Sequence, residues 1–259
     1  MTCIVEPGIV LDELNRFLKP FGLWFPVDVS TSSRATIGGM TGNNSCGGRS
    51  IRYGMMRDNV LEIEGILSDG STYKFGEIKG KEIASSKELA PQIINNLLNL
   101  ALENKDEILT KFPKVLRRVG GYNIDLINPN GFNTSNILVG SEGTLSLFNK
   151  VKLKLTPIPK QKMLGLCAFQ SFRQAMEITK EIVKLKPTAV ELMDDNLLNL
   201  AKLIPMFQGS IKKYFQGNPQ AVLMVEFIDD NLNENSLYVS TQKREMNFYL
   251  DSNNSNILD

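Results

Sequence analysis

Residues 34 to 58, Arg34-Ala-Thr-Ile-Gly-Gly-Met-Thr-Gly-Asn-Asn-Ser-Cys-Gly-Gly-Arg-Ser-Ile-Arg-Tyr-Gly-Met-Met-Arg-Asp58, constrain the fold of this chain more than any other stretch. Six of its 20 glycines fall here, at Gly38, Gly39, Gly42, Gly47, Gly48 and Gly54. Glycine lets the backbone take positive φ and approach a ligand closely, and the interleaved Thr, Asn and Ser side chains add donors and acceptors without filling the space. A loop of this kind can wrap a phosphate. The same composition also builds plain surface turns. Ile37, Met40, Ile51, Tyr53 and Met55 tie the stretch into apolar packing, which a solvated linker does not need.

The rest of the composition narrows the chemistry. With 259 residues, 42% of them apolar, the chain can bury a sizeable core in one large domain or two smaller ones. A net charge of +1 supplies no field to recruit nucleic acid, so no nucleic-acid partner is expected. Cys3, Cys46 and Cys167 are far apart and odd in number, which argues against a disulfide framework and against a cysteine-clustered metal or iron–sulfur site; a reducing, cytoplasmic compartment fits. Histidine is absent, and with it Ser-His-Asp, Cys-His and His-metal mechanisms on this chain, so a cofactor is expected to bring any chemistry and no metal site is expected. No apolar run reaches the length of a membrane span, and the N-terminus lacks the pattern of a signal peptide.

In chain order, Val5-Glu-Pro-Gly8 reads as the end of a strand turning into a helix over 9 to 19, with Val10, Leu11, Leu14, Phe17 and Leu18 facing the core. Residues 60–67 and 71–75 read as a β-hairpin about the Ser68-Asp-Gly70 turn. Residues 86 to 111 read as one or two helices with Ser86 as N-cap and Ile93, Ile94, Leu97, Leu98, Ala101 and Leu102 as the apolar stripe. Ile137-Leu-Val reads as a strand entering a Gly140-Ser-Glu-Gly-Thr144 turn, followed by an alternating strand over 151–155. Pro157 and Pro159 mark a domain boundary. Beyond it, strands at 163–169, 188–193 and 221–228 alternate with helices at 172–184 and 195–203, an α+β layer of ferredoxin-like type left incomplete, and the polar stretch from Asp251 reads as a poorly ordered tail.

Val5-Glu-Pro-Gly8, Thr36-Ile-Gly-Gly-Met-Thr-Gly-Asn-Asn-Ser-Cys-Gly-Gly48, Arg52-Tyr-Gly-Met-Met-Arg-Asp-Asn-Val60, Gly121-Tyr-Asn123 and Gly140-Ser-Glu-Gly-Thr-Leu145 together resemble the successive motifs of the FAD-linked oxidases of the vanillyl-alcohol oxidase type, with a PCMH-type FAD-binding domain. The branch resembled is that of the D-lactate, glycolate and D-2-hydroxyglutarate dehydrogenases, and the run Arg117-Arg-Val-Gly-Gly-Tyr-Asn123 is most similar to large bacterial members fused to an iron–sulfur module. The resemblance covers residues 3 to 230 and implies an α+β fold: the second subdomain of the FAD-binding domain over 1–157, then an incomplete ferredoxin-like cap over 158–250, with a tail at 251–259. It further implies FAD as cofactor, with Thr36, Gly38, Gly39, Asn44, Ser45 and Gly47 along the diphosphate and ribityl chain, donating largely through backbone N–H groups. Pro26 is similar to the proline that opens that loop, and Tyr53 and Gly54 to its close. Asn43 belongs to the same motif. Glu142, Gly143 and Thr144 resemble a second FAD contact.

The departures from the family pattern are as informative. A preceding subdomain with its own glycine-rich pyrophosphate loop and a following region bearing histidine motifs are missing, so the sequence reads as an internal piece of a larger enzyme. The resemblance implies oxidation of a small 2-hydroxy acid by hydride transfer to FAD, with electrons leaving to an iron–sulfur, quinone or cytochrome partner, and a cytoplasmic location or a peripheral one at the inner membrane through that partner. A non-catalytic flavin-binding or subunit-interaction module, and the same fold with a different reaction such as NADPH-linked reduction or alcohol oxidation, stay open. Arg117 and Arg118 are candidate carboxylate binders or a solvated basic pair. Tyr122 stands near a flavin or is an ordinary core aromatic. Glu191 and Asp194 lie at a strand-to-helix junction where Asp194 can serve simply as a cap. None carries an assigned catalytic role.

Overall fold

The computed structural model describes residues 1–79, 88–215, 217–229 and 248–250, and the chain divides into two compact units, Met1–Ile158 and Pro159–Asp259. Ser86 and the tail from Asp251 lie outside the described residues.

The first unit opens with β1 (Thr2–Val5), α1 (Leu11–Leu18) and β2 (Leu23–Trp24), and the glycine-rich window follows as three short helices, α2 (Ile37–Gly42), α3 (Ser50–Tyr53) and α4 (Met56–Asn59). Next come β3 (Val60–Ile66), β4 (Thr72–Phe75), β5 (Glu77–Ile78), α5 (Leu89–Glu103), α6 (Lys105–Lys111), β6 (Phe132–Asn133), α7 (Ser135–Leu138), β7 (Leu147–Lys154) and β8 (Thr156–Pro157). Four strands form an antiparallel sheet in the order β1-β7-β3-β4. Alternation along β7 sends Val151 and Leu153 into the core, opposite Val5 and Cys3 on one side, with Ile63 also facing Val151 on the other. Against this face lie Leu11, Leu14 and Leu18 of α1, Ile37 and Met40 of α2, Ile94 of α5 and Ile137 of α7 in one continuous apolar cluster.

Three local expectations need correction. Phe17 is 68% exposed and packs instead on Phe21, ring centroids 5.9 Å apart, because the buried stripe of α1 is only as wide as Leu11, Leu14 and Leu18. Leu102 likewise points to solvent, at 52% exposure, while Ala101 is buried. The run Ile137-Leu-Val is a helical turn, not a strand: Asn133 Oδ1 accepts from Ser135 N at 3.0 Å and Val139 N returns to Ser135 O at 3.0 Å. All three apolar residues are buried, so periodicity could not distinguish the two conformations.

The second unit contains β9 (Gln161–Phe169), α8 (Phe172–Lys184), β10 (Ala189–Asp194), α9 (Asp195–Leu203), α10 (Pro205–Tyr214), β11 (Ala221–Asp229) and β12 (Phe248–Leu250). Its sheet runs β10-β11-β9-β12 with every neighbouring pair antiparallel, the strand arrangement of a ferredoxin-like layer. Two helices, α9 and α10, stand where a ferredoxin-like layer has a hairpin, and β12 adds a fourth strand that sequence reasoning did not place. Asp194 caps α9, its Oδ1 accepting from Leu197 N at 2.8 Å.

Cys167 on β9 is 1% exposed among Phe169, Ala175, Ala221, Leu223 and Val225, and burial pushes its thiol from 9.0 up to about 11. The folded state therefore retains a proton that the unfolded chain releases near 9.0, so this contribution to stability is complete below that pH and is lost as pH rises through about 11. The urea midpoint of the wild-type chain should fall more steeply across that window than that of a Cys167→Ala variant; parallel pH profiles would refute the assignment.

Candidate functional site

The site is built around α2, a helix of six residues with glycine at Gly38, Gly39 and Gly42. Such a sequence has little intrinsic helical preference, and so short a helix does not stand alone. Its start is held by distant carbonyls: Ile37 N donates to Ile9 O at 2.9 Å and Gly38 N to Pro7 O at 2.7 Å. Thr36 is the N-cap, its Oγ1 accepting from Gly39 N at 3.2 Å. Residue 38 must be glycine for the chain's own sake, since a Cβ there would lie 2.6 Å from Pro7 Cβ.

The other end of α2 is sealed by the second loop. Gly140 N donates to Thr41 O at 2.9 Å and Glu142 N to Gly42 O at 2.9 Å, so the Gly140–Thr144 turn docks on the last carbonyls of the helix. Within the turn, Glu142 has φ 52° and Gly143 φ 73°. Thr144 Oγ1 donates to Ser141 O at 2.6 Å and lies 2.8 Å from Tyr122 OH, which draws the Gly121-Tyr-Asn segment to the same place. The two small-residue loops of the sequence are thus neighbours in space.

A buried polar network fixes them. Asn44, 1% exposed and at φ 51°, accepts at Oδ1 from Arg57 N at 3.0 Å and donates from Nδ2 to Arg118 O at 3.4 Å. Asn123, also 1% exposed, accepts at Oδ1 from Arg57 Nη1 at 3.1 Å and donates to Val139 O at 2.8 Å and Asn136 O at 3.1 Å. Beyond Asn44, Gly47 faces Asp28: a Cβ at Gly47 would come within 2.2 Å of Asp28 O, and the Asp28 carboxylate accepts from Arg49 N at 3.2 Å. Arg117 Nη2 donates to Gly47 O at 2.5 Å. Gly54 has φ 77° and turns the chain against Asp58, whose Oδ2 accepts from Met55 N at 2.8 Å.

The residues singled out from the sequence fall into distinct positions. Pro26 is buried, and Tyr53 is half-buried edge-on to Trp24, ring centroids 5.6 Å apart. Asn43 is exposed at the end of α2, its Oδ1 accepting from Ser45 Oγ at 2.5 Å. Glu142, Gly143 and Thr144 are exposed on the docked turn. The N–H groups of Gly38, Gly39, Asn44, Ser45 and Gly47 are all engaged within the protein, by Pro7 O, Thr36 Oγ1, Thr41 O, Met40 O and Ser50 Oγ respectively. Among the described residues, the N–H groups of Cys46, Gly48 and Gly143 make no hydrogen bond to protein, and the same holds for Thr36 at the start of the first loop. A Cβ at Gly143 would meet nothing within 4 Å, and the Ser141 hydroxyl is buried without a partner. Open donors, an unpartnered hydroxyl and clear space on adjoining loops fit a phosphorylated cofactor such as FAD.

Arg118 leaves the list of carboxylate binders: it is paired with Asp125, stacked at 4.8 Å over Phe112, and its side chain is 10% exposed. Among the described residues, no three His, Cys, Asp or Glu side chains gather to hold a metal ion. Sequence reading passed over Asp28 and the internal roles of Arg57 and Asn123. The only signal for them was polar residues spaced among apolar ones in otherwise buried segments.

Two outcomes test this construction. Gly38→Ala should lower unfolding stability by roughly 1–3 kcal/mol through overpacking against Pro7, measured as a lower urea midpoint at unchanged slope. Asn44→Ala should cost about 1–3 kcal/mol, because the Arg57 N–H and the Arg118 carbonyl lose a buried partner, and protease nicking should increase in residues 117–122.

Comparison with known proteins agrees with this architecture. Residues 1–76 match the family described as FAD binding domain, and residues 158–246 match the family described as FAD linked oxidases, C-terminal domain. The D-2-hydroxyglutarate dehydrogenase of Pseudomonas putida is 34% identical over 236 residues, which is 87% of this chain and 23% of that protein. The probable mitochondrial D-lactate dehydrogenase of Danio rerio is 30% identical over 197 residues, 75% of this chain and 31% of that protein. The chain thus spans less than a third of the length of either relative. A structure of alkyldihydroxyacetonephosphate synthase shares the fold with a TM-score of 0.58 at 19% identity, over 88% of this chain and 35% of that one. The start of the chain is thus similar to an FAD binding domain, and the part from residue 158 to the C-terminal domain of FAD linked oxidases.

Proposed function

We propose that this chain supplies one half of the FAD site of a flavin-dependent dehydrogenase that oxidises a D-2-hydroxy acid such as D-2-hydroxyglutarate, D-lactate or glycolate. The observation that carries the reading is the docking of the Gly140–Thr144 turn on the end of α2, which sets the open N–H groups of both loops on one construction. When bound, FAD supplies the chemistry by accepting a hydride from the α-carbon of the substrate. This chain's residues bind and orient. Cys46 N, Gly48 N and Gly143 N, with Asn43 and Glu142 at the exposed rim, hold the cofactor, and the positive φ of Gly143 lets the backbone approach it.

A first glycine-rich pyrophosphate loop and a histidine-bearing region, carried by other sequence, complete the site in this proposal. Residues 1–157 serve as the later part of the FAD-binding domain and 158–250 as the cap. The electron acceptor is an iron–sulfur, quinone or cytochrome partner, met in the cytoplasm or at the inner membrane surface. Among the described residues no helix is long and apolar enough to cross a membrane.

The test is a titration of the purified chain with FAD, followed by flavin fluorescence and by thermal shift, alone and with a relative's N-terminal FAD subdomain supplied in trans. Saturable binding that tightens when the subdomain is present is expected. Absence of FAD binding under both conditions overturns the reading.

A further inference from the structure

Arg57 is a charged side chain woven into the polar network between the two loops. Its backbone N–H is held by Asn44 and its Nη1 by Asn123, both of them buried neutral amides. Its Nε is buried without a partner, while the residue as a whole keeps some exposure. Among the described residues, no carboxylate lies within ion-pair distance of this guanidinium. The neighbouring acids are otherwise placed: Asp58 accepts from Met55 N, Asp125 pairs with Arg118, and Glu142 is exposed on the turn.

A guanidinium stays charged at every accessible pH and holds planar donors that match anionic oxygens. Its withdrawal from water is unfavourable unless an opposite charge compensates it. One amide, Asn123, holds the guanidinium and another, Asn44, holds its backbone N–H, and among the described residues no carboxylate pairs with it. We infer that Arg57 is an anion anchor of the site, positioned by Asn44 and Asn123, and that it binds a phosphate oxygen of the FAD diphosphate. The inference rests on the FAD reading above and adds to it a side chain from the end of the glycine-rich window.

Arg57→Gln keeps a donor for Asn123 and removes the charge, whereas Arg57→Lys keeps the charge on a different shape. Each would be compared with the wild-type chain for binding of FAD, inorganic pyrophosphate and D-2-hydroxyglutarate, by thermal shift and fluorescence across a salt series. Pyrophosphate and FAD should stabilise the wild type, and Arg57→Gln should bind both roughly tenfold to a hundredfold more weakly, the range expected for loss of one charge-assisted hydrogen bond, with a shallower salt dependence. Arg57→Lys should recover part of the loss. A purely structural Arg57 would lower the melting temperature of the free protein while leaving pyrophosphate affinity and its salt dependence as in the wild type, and that result overturns the inference. Loss of hydroxy-acid binding with unchanged pyrophosphate and FAD affinity overturns it equally, by assigning the charge to a substrate carboxylate. Should the wild type bind pyrophosphate and not FAD, the cofactor reading fails while the pyrophosphate arm still decides on Arg57.

Discussion

The first unit depends on two hydrogen bonds, from Gly140 N to Thr41 O and from Glu142 N to Gly42 O. A six-residue helix with three glycines is below the length at which backbone bonding alone compensates the entropy of ordering it. Its N–H groups at the start are taken by Ile9 O and Pro7 O, and its last carbonyls by the turn at 140–144. Both ends of the helix are thus closed by segments far away in sequence. Residues 5–9, 36–48 and 139–144 become one body, and none of the three has reason to adopt its shape without the others.

That mutual sealing determines where a ligand can be held. A helix start is often a ready source of anion-binding donors, but α2 has spent its first donors on the chain itself, and helical dipole alone is a weak anchor in so short an element. The open donors lie further on, after the helix and on the docked turn. Beside them stand buried amides and a buried hydroxyl together with charged groups, the Asp28 carboxylate and Arg117 against Gly47 and Arg57 on Asn123, so the site mixes both signs of charge.

The sequence was most legible where periodicity and punctuation agree. The hairpin at 60–75, helix α8, and the alternation of strands and helices in the second unit follow directly from apolar spacing and turn residues. Legibility failed where tertiary contacts choose among near-equal local options. Ile137-Leu-Val is compatible with strand or helix, and the Asn133 side chain decides for the helix. The glycine-rich window has no local reason to be helical, and Pro7 and Ile9 make it so. Asn123 stood within a recognised motif, yet its burial and its three partners depend on α7 and α4 meeting it, which no spacing announces.

Glycine content, the first clue, divides into two kinds once the neighbours are known. At Gly38, Gly47 and Gly54 the space that a Cβ would need is filled by Pro7, Asp28 and Asp58, so these residues are small because the protein packs against itself. At Gly143 the backbone is left-handed and the space beside it is open, so the chain gains the conformation and leaves the volume for something else. The distinction cuts across the motif: Gly38, Gly47 and Gly54 serve the fold, and of the two glycines of the later turn Gly140 packs near Asn44 while Gly143 leaves room. The glycines of these loops therefore answer to two sets of constraints on different residues, one that closes the packing around α2 and one that leaves the space beside the later turn open.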